Sequence, residues 1–166
     1  MRMITRSLCV ICLVMIGLKV VNGCPDQWLT FQGNCYSFVE TKLNWFRATH
    51  ACKEMNAVLV DITSKAEEDF LRGTAQHLQA QGVADGVIYW TSGNDLAVEG
   101  QWVWGYPSEV PMAYTNWDHG EPNNAGPNGV TENCALLWGQ GAWNDRECKS
   151  HEHFICKQKD SSVVVG

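Results

Sequence analysis

Six cysteines, Cys24, Cys35, Cys52, Cys134, Cys148 and Cys156, run from one end of the chain to the other, and no two of them form a C-x-x-C pair. This pattern constrains the fold more than any other feature. In an oxidising compartment an even count at wide spacing reads as three disulfides, although spacing alone leaves the connectivity open. A zinc cluster would want closely spaced thiolates and is disfavoured. Cys9 and Cys12 are left out of the count because residues 1–23 read as a secretory leader. Arg2 and Arg6 precede an apolar run from Leu8 to Leu18, and Val21-Asn22-Gly23 offers a small-residue exit. The apolar run has eleven residues, well short of the roughly 20 that span a bilayer. No later segment is more apolar, so the expected product is secreted and has no membrane span.

Cleavage there leaves 143 residues with 9 basic and 18 acidic side chains. That length suits one domain, expected over residues 24–158, with 159–166 as a flexible tail. The acidic balance disfavours nucleic acid, which needs a clustered basic surface. It leaves two readings open, a solvated acidic surface and a supply of oxygen ligands for a hard cation.

Periodicity predicts two helices in the first half. Thr41 to Met55 places Trp45, Ala48 or Thr49, and Cys52 on one face. Ser64 followed by Glu67 resembles a capping box that opens a helix from Lys65 to Gln79, with Phe70, Leu71 and Leu78 inward. Short strands are expected at 57–60, 87–90, 101–104, 135–138 and 153–157. Between Gly105 and Asn133 lies an aperiodic stretch holding all but one of the five prolines. A long irregular segment inside a compact domain reads as a functional loop.

Oxygen-bearing side chains gather in and beyond that loop. Glu121 and Asn123 flank Pro122, Glu132 stands two residues before Cys134, and Asn144 and Asp145 follow Trp143. Calcium takes six to eight such oxygens, whereas zinc would prefer histidine or cysteine. X-Pro bonds adopt the cis form far more readily than others, and a cis bond at Glu121–Pro122 would aim both flanking side chains at one point. Taken alone, these residues leave calcium binding and plain turn chemistry both open. Trp117, Trp102, Trp104 and Trp138 read as core, and His119 as an exposed loop histidine or a pH-responsive neighbour of the cluster.

E-P-N at 121–123, E-N-C at 132–134 and W-N-D at 143–145, closed by F-I-C at 154–156, together resemble the C-type lectin domain. The likeness covers essentially all of Cys24 to Lys157. It implies an α+β double-loop fold with two helices, two small antiparallel β-sheets and three disulfides, Cys24–Cys35, Cys52–Cys156 and Cys134–Cys148. It further implies that Glu121, Asn123, Glu132, Asn144 and Asp145 hold Ca2+ and bind carbohydrate together with it. E-P-N, rather than Q-P-D, resembles the version preferring equatorial 3- and 4-hydroxyls, as on mannose, N-acetylglucosamine, glucose and fucose. A second calcium site would involve Asp95, Glu99, Asn124 and Asn133. Two positions expected to be acidic are asparagines here, so that site is expected to be weak or empty.

Two departures stand out. The core signature W-I-G-L reads W-T-S-G at 90–93, a variant associated with secreted invertebrate lectins, and the run between Asn123 and Glu132 is long. The expected role is glycan recognition in secreted innate defence, with a noncovalent homo-oligomer or another protein supplying avidity. A lectin-like domain binding protein or mineral surfaces without sugar is the alternative. An enzyme is disfavoured because Glu121, Glu132 and Asp145 are expected among amides and exposed turns, whereas a general acid needs an apolar pocket.

Overall fold

The computed structural model describes residues 23–139 and 142–162, so residues 1–22 of the expected leader and the last four residues of the chain lie outside the described residues. The first strands among the described residues form a hairpin of β1 (Leu29–Phe31) and β2 (Asn34–Leu43). Its two-residue turn, Gln32-Gly33, has positive φ at both positions, 45° and 72°, as tight hairpin turns require. The sequence reading missed this hairpin and began the first helix too early. Thr41 to Leu43 complete β2, and α1 runs Trp45–Glu54. Asn44 sets the boundary, since its side-chain oxygen accepts from the Arg47 amide at 3.0 Å and so caps the first turn. The buried stripe is Trp45, Ala48 and Cys52, as the periodicity required.

The second helix, α2, spans Lys65–Ala80. The Ser64 hydroxyl accepts from the Glu67 amide at 3.2 Å, confirming the cap. Leu71 and Ala75 are fully buried, while Phe70 and Leu78 pack half-buried against the same cluster. Glu67 and Glu68 are buried as well, which amphipathicity did not anticipate.

The remaining strands are β3 (Val58–Leu59), β4 (Ile88–Asn94), β5 (Val103–Trp104), β6 (Val110–Pro111), β7 (Cys134–Trp138), β8 (Ala142–Arg146) and β9 (Glu152–Lys159). The main path is β1-β2-β9-β4-β5-β6, with β3 on β9 and a β4-β7-β8 branch. Pairing is antiparallel except between β4 and β9, where Tyr89 meets His153 and Trp90 meets Phe154 in parallel. This contact joins the two expected antiparallel groups into one mixed sheet. Lys159 closes β9 opposite Asn34.

Apolar side chains form two clusters, one around Tyr36, Leu71, Tyr89 and Trp143, the other around Trp45, Trp90, Leu136 and Phe154. All three disulfides join the pairs implied by the resemblance. Cys52–Cys156 ties α1 to β9, and Cys134–Cys148 braces the β7–β8 hairpin that carries Asn144 and Asp145. Trp90 to Gly93 is buried along its whole length. The Thr91 hydroxyl donates to the Ala135 carbonyl at 2.8 Å, which satisfies one of the two hydroxyls that the W-T-S-G variant introduces.

Candidate metal and ligand site

The site begins on β8, whose alternation puts Trp143 and Asp145 inward and leaves Asn144 partly accessible. Trp143 lies in the core against Trp104 at 5.3 Å and Trp117 at 5.7 Å between ring centroids. The loop is latched to this strand at its entrance. The Trp143 amide donates to Asn116 O at 2.9 Å, and the Asp118 amide donates to Trp143 O at 2.8 Å. Trp117, also stacked edge-on with Trp102 at 4.6 Å, is half-buried against the core cluster rather than fully within it.

The Glu121–Pro122 bond beyond the latch is cis. The Asn123 side-chain amide donates to Glu121 Oε1 at 2.9 Å, so both flanking side chains lie on one side of the proline. Asp145 holds the same segment from below. Its Oδ1 accepts from the Asn123 amide at 3.2 Å and its Oδ2 from the Asn124 amide at 2.7 Å. Asn124 in turn accepts from the Glu132 amide at 2.8 Å through its side-chain oxygen. One hydrogen-bonded circuit thereby contains Glu121, Asn123, Glu132 and Asp145, with Asn144 next to it on the strand.

Its electrostatics are those of crowded acids. Burial, with the adjoining Asp145 and Glu132 carboxylates, pushes Glu121 up to about 7. Burial and Asp145 likewise raise Glu132. Arg146 offsets Glu132 only in part, because its guanidinium pairs with Glu152 at 2.7 Å and lies over the Trp138 ring at 4.8 Å. Glu121 Oε2 and Asn144 Oδ1 are buried oxygens without a hydrogen-bond partner among the described residues. Buried acceptors left unpaired are costly, and a donor set of carboxylate and amide oxygens with unpaired lone pairs fits a hard divalent cation.

The Lectin C-type domain family matches residues 41–158. The chain belongs to the C-type lectin domain family. This C-type lectin chain is 38% identical over 138 residues to the mouse (Mus musculus) low affinity immunoglobulin epsilon Fc receptor, covering 82% of this chain and 38% of that protein. It is 38% identical over 146 residues to the human (Homo sapiens) CD209 antigen, covering 87% of this chain and 33% of that one. The chain thus spans about a third of the length of these vertebrate relatives. Among solved structures, the cow C-type carbohydrate-recognition domain of CD23, determined in the presence of a GlcNAc2Man3 oligosaccharide, aligns with a TM-score of 0.69. It is 36% identical and covers 83% of this chain and 97% of that one.

The matching family is one of lectin domains, but two of the three candidate acids do not lie on exposed turns. Asp145 is fully buried and Glu132 nearly so. The exposure of Asp145 was misjudged because β8 was not foreseen, and it is that strand's alternation that turns Asp145 inward, whereas Glu132 lies in the segment before β7.

The residues assigned to a second lectin calcium site are brought together only in part. Asp95 is buried and its amide donates to Asn133 O at 3.2 Å. Burial raises Asp95, although the Gly100 amide donates to its Oδ2 at 2.8 Å. Glu99 is exposed, and Asn124 faces Glu132. His119 is an exposed loop residue. Among the described residues, the tightest group of possible metal-ligating side chains is Cys24, Cys35 and Asp160. Its two cysteines form a disulfide and are unavailable.

Sequence reading missed two supports of the lectin loop. Glu68 on α2 accepts from Asn116 at 2.7 Å and from the Tyr114 hydroxyl. Gly126 approaches so closely that a Cβ there would lie 2.6 Å from Val130 O and 3.1 Å from Glu132 Cγ. A glycine in a polar loop carries no signal that distinguishes close approach from a simple turn.

Proposed function

We propose that the protein is a secreted, calcium-dependent lectin for mannose-type glycans, those presenting equatorial 3- and 4-hydroxyls on mannose, N-acetylglucosamine, glucose or fucose. The observation that carries this reading is the circuit of Glu121, Asn123, Glu132 and Asp145 beside Asn144, with buried oxygens left unpaired. Bound calcium would hold two adjacent sugar hydroxyls in its coordination shell. The carboxylates would accept from those hydroxyls and the asparagine amides would donate to them, so every polar group on the sugar edge is used. The cow CD23 domain supports the sugar class, since its structure was determined in the presence of an oligosaccharide containing mannose and N-acetylglucosamine. Among the described residues no helix is long and apolar enough to cross a membrane, and secretion rests on the leader pattern. The invertebrate-type reading of W-T-S-G rests on that tetrapeptide alone.

A single shallow site binds a monosaccharide weakly, and several sites acting together raise avidity by orders of magnitude. The role in innate recognition therefore includes a noncovalent oligomer. Asp95 and Asn133 supply too little formal charge for a strong second calcium site. The test is retention on mannose-agarose in calcium and release by chelator. Glu121→Gln combined with Asn123→Asp should move retention from mannose to galactose. Retention that survives chelation overturns the proposal. It would instead favour the alternative of a lectin-like domain binding protein or mineral surfaces, which the name of the mouse Fc receptor relative makes concrete.

A further inference from the structure

A groove of about 550 Å³ lies between α1, β3 and the arm carrying β5 and β6. Ligand sites for small organic molecules commonly fall between roughly 300 and 1,000 Å³. Its floor is the buried trio Trp45, Leu59 and Trp104, and its rim includes Val58, Tyr106 and Val110, which are 60%, 51% and 61% exposed. Single exposed apolar residues need no explanation, but three gathered around one concave surface make an apolar face that a ligand could cover. None of the lining residues belongs to the Glu121–Asp145 circuit.

Of the two charged side chains lining this groove, Asp61 and Lys53, only Asp61 is paired, and the hydroxyls of Ser92, Tyr106 and Ser108 make no side-chain hydrogen bond among the described residues. Asp61 pairs with Lys157 at 2.9 Å. The hydroxyls of Thr49, Thr63 and Tyr114 donate to Trp45 O, Glu67 and Glu68 respectively. Lys53 lines the groove from the last turn of α1 and enters no ion pair or side-chain hydrogen bond among the described residues. The groove therefore presents an apolar trough and one uncommitted positive charge, on a chain whose net charge is −6. An apolar chain ending in a single anion complements both features. The chain is driven in by burial of apolar surface, and its head group is placed at the ammonium.

We propose that this groove binds a long-chain carboxylic acid, with the alkyl chain against Val58, Trp104 and Val110 and the carboxylate at Lys53. Isothermal titration of the oxidised protein with laurate, below its micelle concentration, is expected to show saturable one-to-one binding. Lys53→Gln is expected to weaken laurate at least fivefold while leaving dodecanol unchanged, because the alcohol carries no charge to lose. Val58→Asp, at an exposed position, is expected to abolish binding of both without lowering the unfolding temperature. Absence of saturable laurate binding overturns the proposal, as does binding insensitive to Val58→Asp. Equal laurate affinity in Lys53→Gln overturns the carboxylate assignment. Sedimentation supplies a further arm. A wild-type dimer that Val58→Asp converts to monomer would make a second copy of the chain the occupant and also overturn the proposal. The mannose test reads a different set of residues, so either result stands without the other.

Discussion

Glu68 Oε1 accepts the side-chain amide of Asn116 at 2.7 Å, joining the buried face of α2 to the residue that opens the ligand loop. The other carboxylate oxygen takes the Tyr114 hydroxyl, and the Asn116 carbonyl receives the Trp143 amide from β8. One buried acid thus fixes both the loop entrance and its latch to the strand bearing Asn144 and Asp145. Glu68→Ala removes the acceptor of two donors, half-buried Tyr114 and exposed Asn116, at about 0.5–1.5 kcal/mol for each lost hydrogen bond. The expected result is a lower unfolding temperature together with weaker calcium-dependent sugar retention, and Glu68→Gln, which keeps an acceptor, should lose less of both. Thermal melts and column retention on the same preparations check this.

Calcium should stabilise the folded chain. Glu121 and Glu132 are raised by burial and by Asp145, so a cation binding among them relieves repulsion present only in the folded state. Ligand at a hundredfold over its dissociation constant adds about 2.7 kcal/mol. Calorimetry is expected to show a melting temperature that climbs with calcium and returns on chelation. Asn144→Ala, which removes one of the unpaired buried oxygens, should flatten that response. An unchanged melt in calcium would contradict the assignment.

How much of this arrangement was legible in the sequence differs by element. Ser64 and Glu67 marked the start of α2, because a capping box is a local hydrogen-bond pattern that sequence carries directly. The β2–β9 pairing was invisible, because it joins Asn34 to Lys159 across nearly the whole chain. Missing β2 also displaced the start of α1, since Thr41 to Leu43 extend the strand up to the Asn44 cap. The proposed ligands were named from their tripeptides, and the structure gathers Glu121, Asn123, Glu132 and Asp145 into one circuit. Their supports were not named. Glu68 reads as a solvated helix residue until Tyr114 and Asn116 fold over it, and charge next to an apolar stripe gives no hint of such partners.

Gly126 should be intolerant of any side chain. Its added Cβ would meet Val130 O at 2.6 Å and Glu132 Cγ and Cδ at 3.1 and 3.3 Å. Backbone on one side and a proposed ligand on the other leave little room to shift. Gly126→Ala is expected to weaken calcium binding several-fold. Gly73→Ala makes the opposite control, lying on the exposed face of α2 with nothing near its Cβ. It should raise stability by about 0.8–1 kcal/mol from helix propensity alone. Calcium titration of the two variants separates a local clash from a general effect of adding a methyl group.

Glu67 should govern acid stability. Its carboxylate receives Lys157 Nζ at 2.5 Å, the Tyr36 hydroxyl at 2.7 Å, and the Thr63 amide and hydroxyl at 2.9 and 3.0 Å. Burial alone would raise it, but these donors outweigh burial and hold it below the ordinary glutamate range. A folded-state value lower than the unfolded one, near 4.3, means the carboxylate stabilises the fold above that pH. The contribution disappears as pH falls through the folded value and the group is protonated in both states. Glu67→Gln is therefore expected to cost about 1.5–3 kcal/mol at pH 7, the scale of hydrogen bonds to a charged group. The gap between variant and wild type should shrink steadily as pH drops below about 4. Denaturant unfolding at a series of pH values measures it, and a gap that is constant with pH would show that Glu67 acts through packing rather than charge.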